Sequence, residues 1–259
     1  MLMDREIKIK ISEIMFVFFI LKNWLLSLII FRYFYKVDLL ELLMNVLGID
    51  EAGRGPVIGD MVMAGVMIDE KDESKFKEIG VKDSKLILPN RRKILFKEVK
   101  KIAKKFHIIE VSPKEIDEAV FSKEMNLNKL EAVKSAIIIN KLKPDKAIVD
   151  CPSNNPSNYE EYLRLFLKDK DIKLVVENKA DFNYLTVGAA SILAKVTRDE
   201  GIEKIKKKYG NLGSGYPSDP NTKEFIKHNF EKHPEIFRKS WATFKNLKSG
   251  KTQKKLGEF

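Results

Sequence analysis

Cysteine is almost missing from this chain of 259 residues, and the lone Cys151 excludes an internal disulfide and fits a reducing, cytoplasmic setting. Histidine is nearly as scarce. His107, His228 and His233 show no zinc-ligand spacing with one another or with Cys151, which argues against a zinc site. No small-residue cleavage site follows the early apolar run, so a secretory signal does not fit. There is no internal repeat and no Walker lysine. Acid is short relative to base: Asp and Glu total 37 against 48 Lys and Arg, a net charge of +11. That imbalance points to a polyanionic partner, either nucleic acid or an anionic membrane surface, or else to a lysine-rich solvated surface.

What is present is an ordinary globular composition, 44% hydrophobic and 33% charged, long enough to bury a core without covalent staples. Residues 1–43 stand apart. The stretch "IMFVFFILKNWLLSLIIFRYFY" (14–35) is long and apolar enough for a membrane span, although Lys22, Asn23 and Arg32 interrupt it. A central lysine costs about 2.5–3.5 kcal/mol, which large apolar residues at about −0.3 to −0.6 kcal/mol each offset. The preferred reading is an over-extended gene start, because Met44 directly precedes a first strand. A membrane anchor and a docked extra helix rank behind it. From residue 44 to 244 the chain reads as one domain of ordinary size, and 245–259 as a basic flexible tail.

Periodicity gives strands at 45–50 and 57–68, joined by a glycine-rich turn, and further strands at 107–112, 146–150 and 172–178. Helices are predicted at 87–106, 113–120, 127–142, 158–168, 185–208 and 221–233, the last with Asn221 and Thr222 as capping residues. A hairpin followed by strands alternating with helices implies a mixed α/β sheet.

Three aspartates close on strand ends. Asp50 ends the first strand, Asp150 ends "AIVD", and Asp181 lies just past "LVVEN". Ligands of open α/β sheets bind beyond the carboxyl ends of strands, so these three can converge. Crowded carboxylates must be protonated or bind cations, and oxygen-only ligands favour magnesium or manganese. Glu51 follows Asp50 directly and joins it only if the strand stops or bulges there, a freedom that Gly53 and Gly55 supply. The alternative is that Asp50 and Glu51 merely cap a surface hairpin. "GRGPVIG" is a poor dinucleotide fingerprint, since its spacing is wrong and Pro56 would spoil the helix.

Taken together, "GIDEAGRGPVIG", "KDSKLIL", "IVD", "NKAD", "AASILAKVTRD" and "GSGYPSDP" resemble type 2 ribonuclease H, ribonuclease HII, in its archaeal form. The resemblance runs colinearly over residues 45–235 and leaves 1–43 outside. It implies a ribonuclease H-like fold: a mixed five-stranded sheet flanked by helices, with a helical C-terminal part. It further implies a metal-dependent endoribonuclease that cuts the RNA of RNA/DNA hybrids and acts 5′ of single ribonucleotides in duplex DNA, a role in ribonucleotide excision repair and replication. Asp50, Glu51, Asp150 and Asp181 would hold two divalent cations, Mg2+ or Mn2+, one activating water and the other stabilising the leaving 3′-oxygen. Asp199 ranks below Asp181. Gly53, Arg54 and Gly55 would touch the ribose 2′-hydroxyl, Tyr216 would stack on the next sugar, and Lys85 and Lys195 would meet phosphates.

Three rivals compete with that reading: a junction resolvase of the same fold, a nucleic-acid binder without catalysis, and a membrane-anchored form. The tail adds a partner. Gln253, Leu256 and Phe259 resemble the box by which repair enzymes dock on the sliding clamp, with Leu256 and Phe259 as i and i+3 anchors on one helix face. Nothing suggests an obligate partner subunit, so a monomer is expected.

Overall fold

In the computed structural model the described residues are Lys22, 44–81 and 87–248. The chain divides into two units, Met1–Met44 and Asn45–Phe259, and every element below belongs to the second. The 14–35 segment, Lys85 and the tail residues Gln253, Leu256 and Phe259 lie outside the described residues. No helix among the described residues is long and apolar enough to cross a membrane.

Five strands form one sheet: β1 (Asn45–Ala52), β2 (Met61–Asp69), β3 (Lys105–Val111), β4 (Lys146–Asp150) and β5 (Lys173–Glu177), in the order β3-β2-β1-β4-β5. β1, β2 and β3 pair antiparallel, whereas β4 and β5 run parallel to β1. The central strand β1 is apolar on both faces because helices cover both. Leu47 and Ile49 pack with Ala132, Ala136 and Ile139 of α4 (Leu127–Leu142) and with Tyr159 and Leu163 of α5 (Pro156–Leu165). On the other face α7 (Leu185–Tyr209) and α2 (Pro89–Ile102) bring Ala189, Ile192, Leu193, Leu95 and Val99 onto Val62, Ala64 and Val66. Gly48 sets that distance: a Cβ there would lie 2.3 Å from the main-chain carbon of Thr186. A third cluster gathers Val57, Ile58, Ile202, Phe225, Ile236 and Phe237 beyond the sheet end.

The remaining helices are α1 (Glu73–Glu78), α3 (Pro113–Phe121), α6 (Ala180–Asn183), α8 (Pro220–Asn229) and α9 (Ala242–Lys248). Side-chain caps start several of them. Ser112 accepts from the N–H of Glu115, Asn126 from Lys129, and Asn155 from Asn158.

The predicted mixed sheet with flanking helices is the observed one, and several bounds move: the first strand runs on to Ala52, the helix at 158–168 is Pro156–Leu165, and the helix at 221–233 ends at Asn229. The helix expected to reach residue 106 ends at Ile102, because Phe106 and Ile108 pair with Val66 and Ala64 of β2. The second strand starts at Met61, not 57: Gly59 turns with φ 82°, and Ile58 bridges to Phe237 instead. The cap of α8 is Asp219, whose carboxylate accepts from the N–H of Asn221. Thr222 is buried, donating to the Leu212 carbonyl and accepting from the N–H of Gly215, so it fastens the preceding loop.

Candidate active site

The ladder between β1 and β4 stops at Ile49↔Val149, while β1 stays paired to β2 through Ala52. The strand therefore ends on one side only. Asp50 and Glu51 lie where the parallel neighbour has let go, next to Asp150 at the end of β4. No bulge is needed. Alternation sends Asp50 to the α7 face, where Ser191 hydrogen-bonds it, and Glu51 to the α4 face, near Glu131. Around this sheet end, ligand oxygens of Asp50, Glu51 and Asp150 come within 4.8 Å of one another.

Such crowding has an electrostatic consequence. Burial, then the charge of Asp150, pushes the Asp50 carboxyl up to about 7, against opposing pulls from Ser191 and Lys195. Burial and the charges of Asp50, Glu131 and Asp150 hold Glu51 well above the usual carboxylate range. The Ala180 N–H donates to Asp150 at 2.8 Å and fixes its carboxylate. Three hard oxygen donors sharing too much negative charge suit a divalent cation. Asp181, next along from Ala180 in α6, is buried but is not part of this three-carboxylate group. Asp199 is not part of it either, and pairs with Arg92 and Arg198.

Residues 53–60 form the loop beyond β1. Gly53 has φ 79°, and a Cβ on it would stand 3.0 Å from Cγ of Arg198 and from the Asp60 carbonyl, so only glycine fits. Arg54 sends its guanidinium to Glu131 at 2.9 Å and Asn128 at 2.5 Å. A Cβ on Gly55 would meet the half-exposed Tyr216 ring at 3.3 Å, and the Arg198 guanidinium carbon stands 5.1 Å from that ring. The structure thus brings Asp50, Glu51, Asp150, Lys195 and the glycine loop to one sheet end, with Tyr216 against the loop.

The ribonuclease HII family model matches residues 47–244, a span that holds all three carboxylates, the glycine loop and Tyr216. The chain belongs to the ribonuclease HII family. It is a ribonuclease H-type endoribonuclease, of a family that cleaves the RNA of RNA/DNA hybrids. Ribonuclease HII of Pyrococcus furiosus is 44% identical over 225 residues, spanning 83% of this chain and 98% of that protein. The crystal structure of ribonuclease H2 from Pyrococcus horikoshii OT3 aligns with a TM-score of 0.74 at 42% identity, covering 82% of this chain and 100% of that one. The structure of the PCNA:RNase HII complex from Archaeoglobus fulgidus aligns with a TM-score of 0.71 at 40% identity, covering 83% and 100%.

Against that family background, several site residues had escaped the sequence reading. Ser191 carried a usable signal, since it stands four residues before Lys195 on one helix and so shares its face. Arg198 stood inside the quoted "AASILAKVTRD", whereas Glu131, Arg238 and Trp241 carried no signal, because their contacts reach across the chain to residues 53–55.

Proposed function

We propose that this chain, besides acting on RNA/DNA hybrids, cuts 5′ of single ribonucleotides embedded in duplex DNA and leaves 3′-hydroxyl and 5′-phosphate ends. The observation that carries this is the meeting of Asp50, Glu51 and Asp150 beside a loop that only glycine can form. Asp181 completes a four-carboxylate set in this reading. Two divalent cations, magnesium or manganese, held by these four would supply an activated water and neutralise charge at the leaving 3′-oxygen. Main-chain groups of Gly53, Arg54 and Gly55 approach the ribose and read its 2′-hydroxyl, the group that separates RNA from DNA. Tyr216, held against Gly55 and Arg198, offers a flat face to the following sugar.

Affinity for the duplex would come from a basic surface. A groove of about 540 Å³ is lined by Arg92, Lys93, Arg198, Lys204, Lys206 and Lys207, which outnumber its Asp199, Glu200 and Glu203, and it reaches Ser214, two residues before Tyr216. Lys85 and Lys195 add phosphate contacts in this reading.

The test is a DNA duplex bearing one ribonucleotide, set beside an all-DNA duplex and an all-DNA four-way junction, with magnesium present. Cutting confined to the 5′ side of the ribonucleotide is expected. Cutting of the junction alone would overturn the proposal. We further propose that the tail docks on the sliding clamp through Gln253, Leu256 and Phe259, a reading supported by the PCNA complex of the Archaeoglobus relative. Deleting 253–259 should abolish clamp binding in calorimetry and leave cutting of free substrate unchanged. Equal binding by the truncated chain would refute it.

A further inference from the structure

Arg238 is fully buried, the largest side chain in the described core to be so. A guanidinium in that position is costly unless something answers its charge. Its Nη2 donates to the Gly53 carbonyl at 2.7 Å, its Nη1 to the Arg54 carbonyl at 3.0 Å, and its Nε to the Gly59 carbonyl at 3.0 Å. Trp241, whose ring lies 5.0 Å from the Arg238 guanidinium carbon, donates from Nε1 to the Gly55 carbonyl at 3.0 Å. Four loop carbonyls are thus taken by two side chains from one short segment. That segment is itself fixed. The Arg238 N–H donates to the Val57 carbonyl, Gly59 donates to Ile236, and Asp117 accepts from both N–H groups of Lys239 and Ser240 and from the Ser240 hydroxyl.

A trans peptide places its N–H opposite its C=O, and no peptide among the described residues is cis. Holding the Gly53 and Arg54 carbonyls toward Arg238 therefore turns the N–H groups of Arg54 and Gly55 to the opposite side. Peptides flanked by glycine flip readily, since glycine tolerates both signs of φ. Released from Arg238, the same loop could present carbonyl oxygens where it now presents N–H donors.

We infer that Arg238 and Trp241 are positioning residues that lock the peptide orientation of the Gly53–Arg54–Gly55 loop and so set its preference for a ribose. The inference rests on the proposed reading of the 2′-hydroxyl by this loop. Arg238 touches no substrate in this scheme. It fixes which backbone groups do.

Arg238→Lys keeps a positive charge and removes the planar fork, and Trp241→Phe keeps a ring and removes the one donor to Gly55. Each is assayed well below its melting temperature on two duplexes, one with a single ribonucleotide and one with a 2′-fluoro nucleotide at the same place. Arg238→Lys should lose roughly tenfold or more in kcat on the ribonucleotide duplex, the scale of a slightly misplaced reactive geometry. Its KM and its magnesium-induced rise in melting temperature should stay as in the wild type. The ratio of ribo to 2′-fluoro cleavage should fall, and Trp241→Phe should shift it the same way by a smaller factor. A merely structural role would lower both substrates together and leave that ratio unmoved, and this result overturns the inference. Should Arg238→Lys fail to fold, an unchanged ratio in Trp241→Phe overturns it equally. Wild-type protein that cuts neither duplex would instead sink the proposed cleavage at ribonucleotides, a failure distinct from this one.

Discussion

The acidic cluster and the glycine loop beside it solve opposite electrostatic problems in opposite ways. Asp50, Glu51 and Asp150 are carried by regular strands, and the pulls of Ser191, Lys195 and Arg54 only partly offset their burial and mutual repulsion, with Asp50 pushed up to about 7. Arg238 lies behind an irregular loop, and the protein answers its charge internally with carbonyl oxygens. Desolvation, with the charge of Arg198, lowers the Arg238 guanidinium only to about 10, so it stays charged at neutral pH. One region is open for a cation from outside. The other is finished in the fold and serves as a clamp. A reactive site gains from unsatisfied charge and its support does not.

The hardest test of the contrast is to remove charge from the open region. Asp50→Asn should cost roughly 1,000-fold or more in kcat, about 4 kcal/mol of transition-state stabilisation, while hybrid binding persists. Retained magnesium-dependent cutting would break the assignment of Asp50. The melting temperature of the metal-free variant should rise above that of the wild type at pH 8, since a source of repulsion is gone.

A steric test comes next. Gly48→Ala drives a Cβ to 2.3 Å from the Thr186 main chain and must push α7 off β1. A loss of about 1–3 kcal/mol in chemical denaturation is expected, as for an overpacked core. Because Ser191 and Lys195 ride on α7, kcat should fall with it. Unchanged stability would mean that α7 does not set the sheet distance.

The pH dependence sharpens the comparison further. Asp50 rises from 3.8 to about 7, and Glu131 from 4.5 to about 7, both mainly through burial. The folded state thus holds these protons more tightly than the unfolded chain does. Their contribution to stability is full below about 4 and is lost as pH climbs through about 7. Asp219 and Glu224 are shifted downward by hydrogen bonds, so their contribution has the opposite sign and is lost as pH falls. Metal-free protein should therefore melt lower at pH 8 than at pH 5, and magnesium should restore more at pH 8. Thermal denaturation with chelator and with magnesium measures both, and equal melting at the two pH values would contradict the charge reading.

The smallest effect belongs to the basic groove. Lys207→Ala should weaken duplex binding a few-fold and lower the slope of log affinity against log salt by about 0.9. The ribonucleotide preference should not change, because a phosphate contact carries no sequence or sugar information.

Much of the molecule was legible beforehand. The helix at 127–142 and the strand at 146–150 have the predicted bounds, because a long periodic run with an Asn126 cap and a short β-branched run are strong local signals. Boundaries failed where a partner overruled propensity, as when β2 claimed Phe106 from a helical pattern. The strand-end position of Asp50 and Asp150 was readable from the residues, and the quoted motifs pointed to the loop and to Tyr216.

By itself the sequence determined the alternation of strands and helices, the positive surface and the acidic strand ends, since each depends on neighbours within a few residues. Only the tertiary structure decided the rest. That the β1–β4 ladder stops one residue before Asp50, opening one side of a strand still paired on the other, follows from the register of residues about a hundred apart in sequence. That Glu131 holds Arg54, and that Arg238 holds the carbonyls of Gly53 and Arg54, follows from burial, which turns distant polar groups into obligatory partners. Local pattern records what a residue prefers, and burial across the fold decides what it must bind.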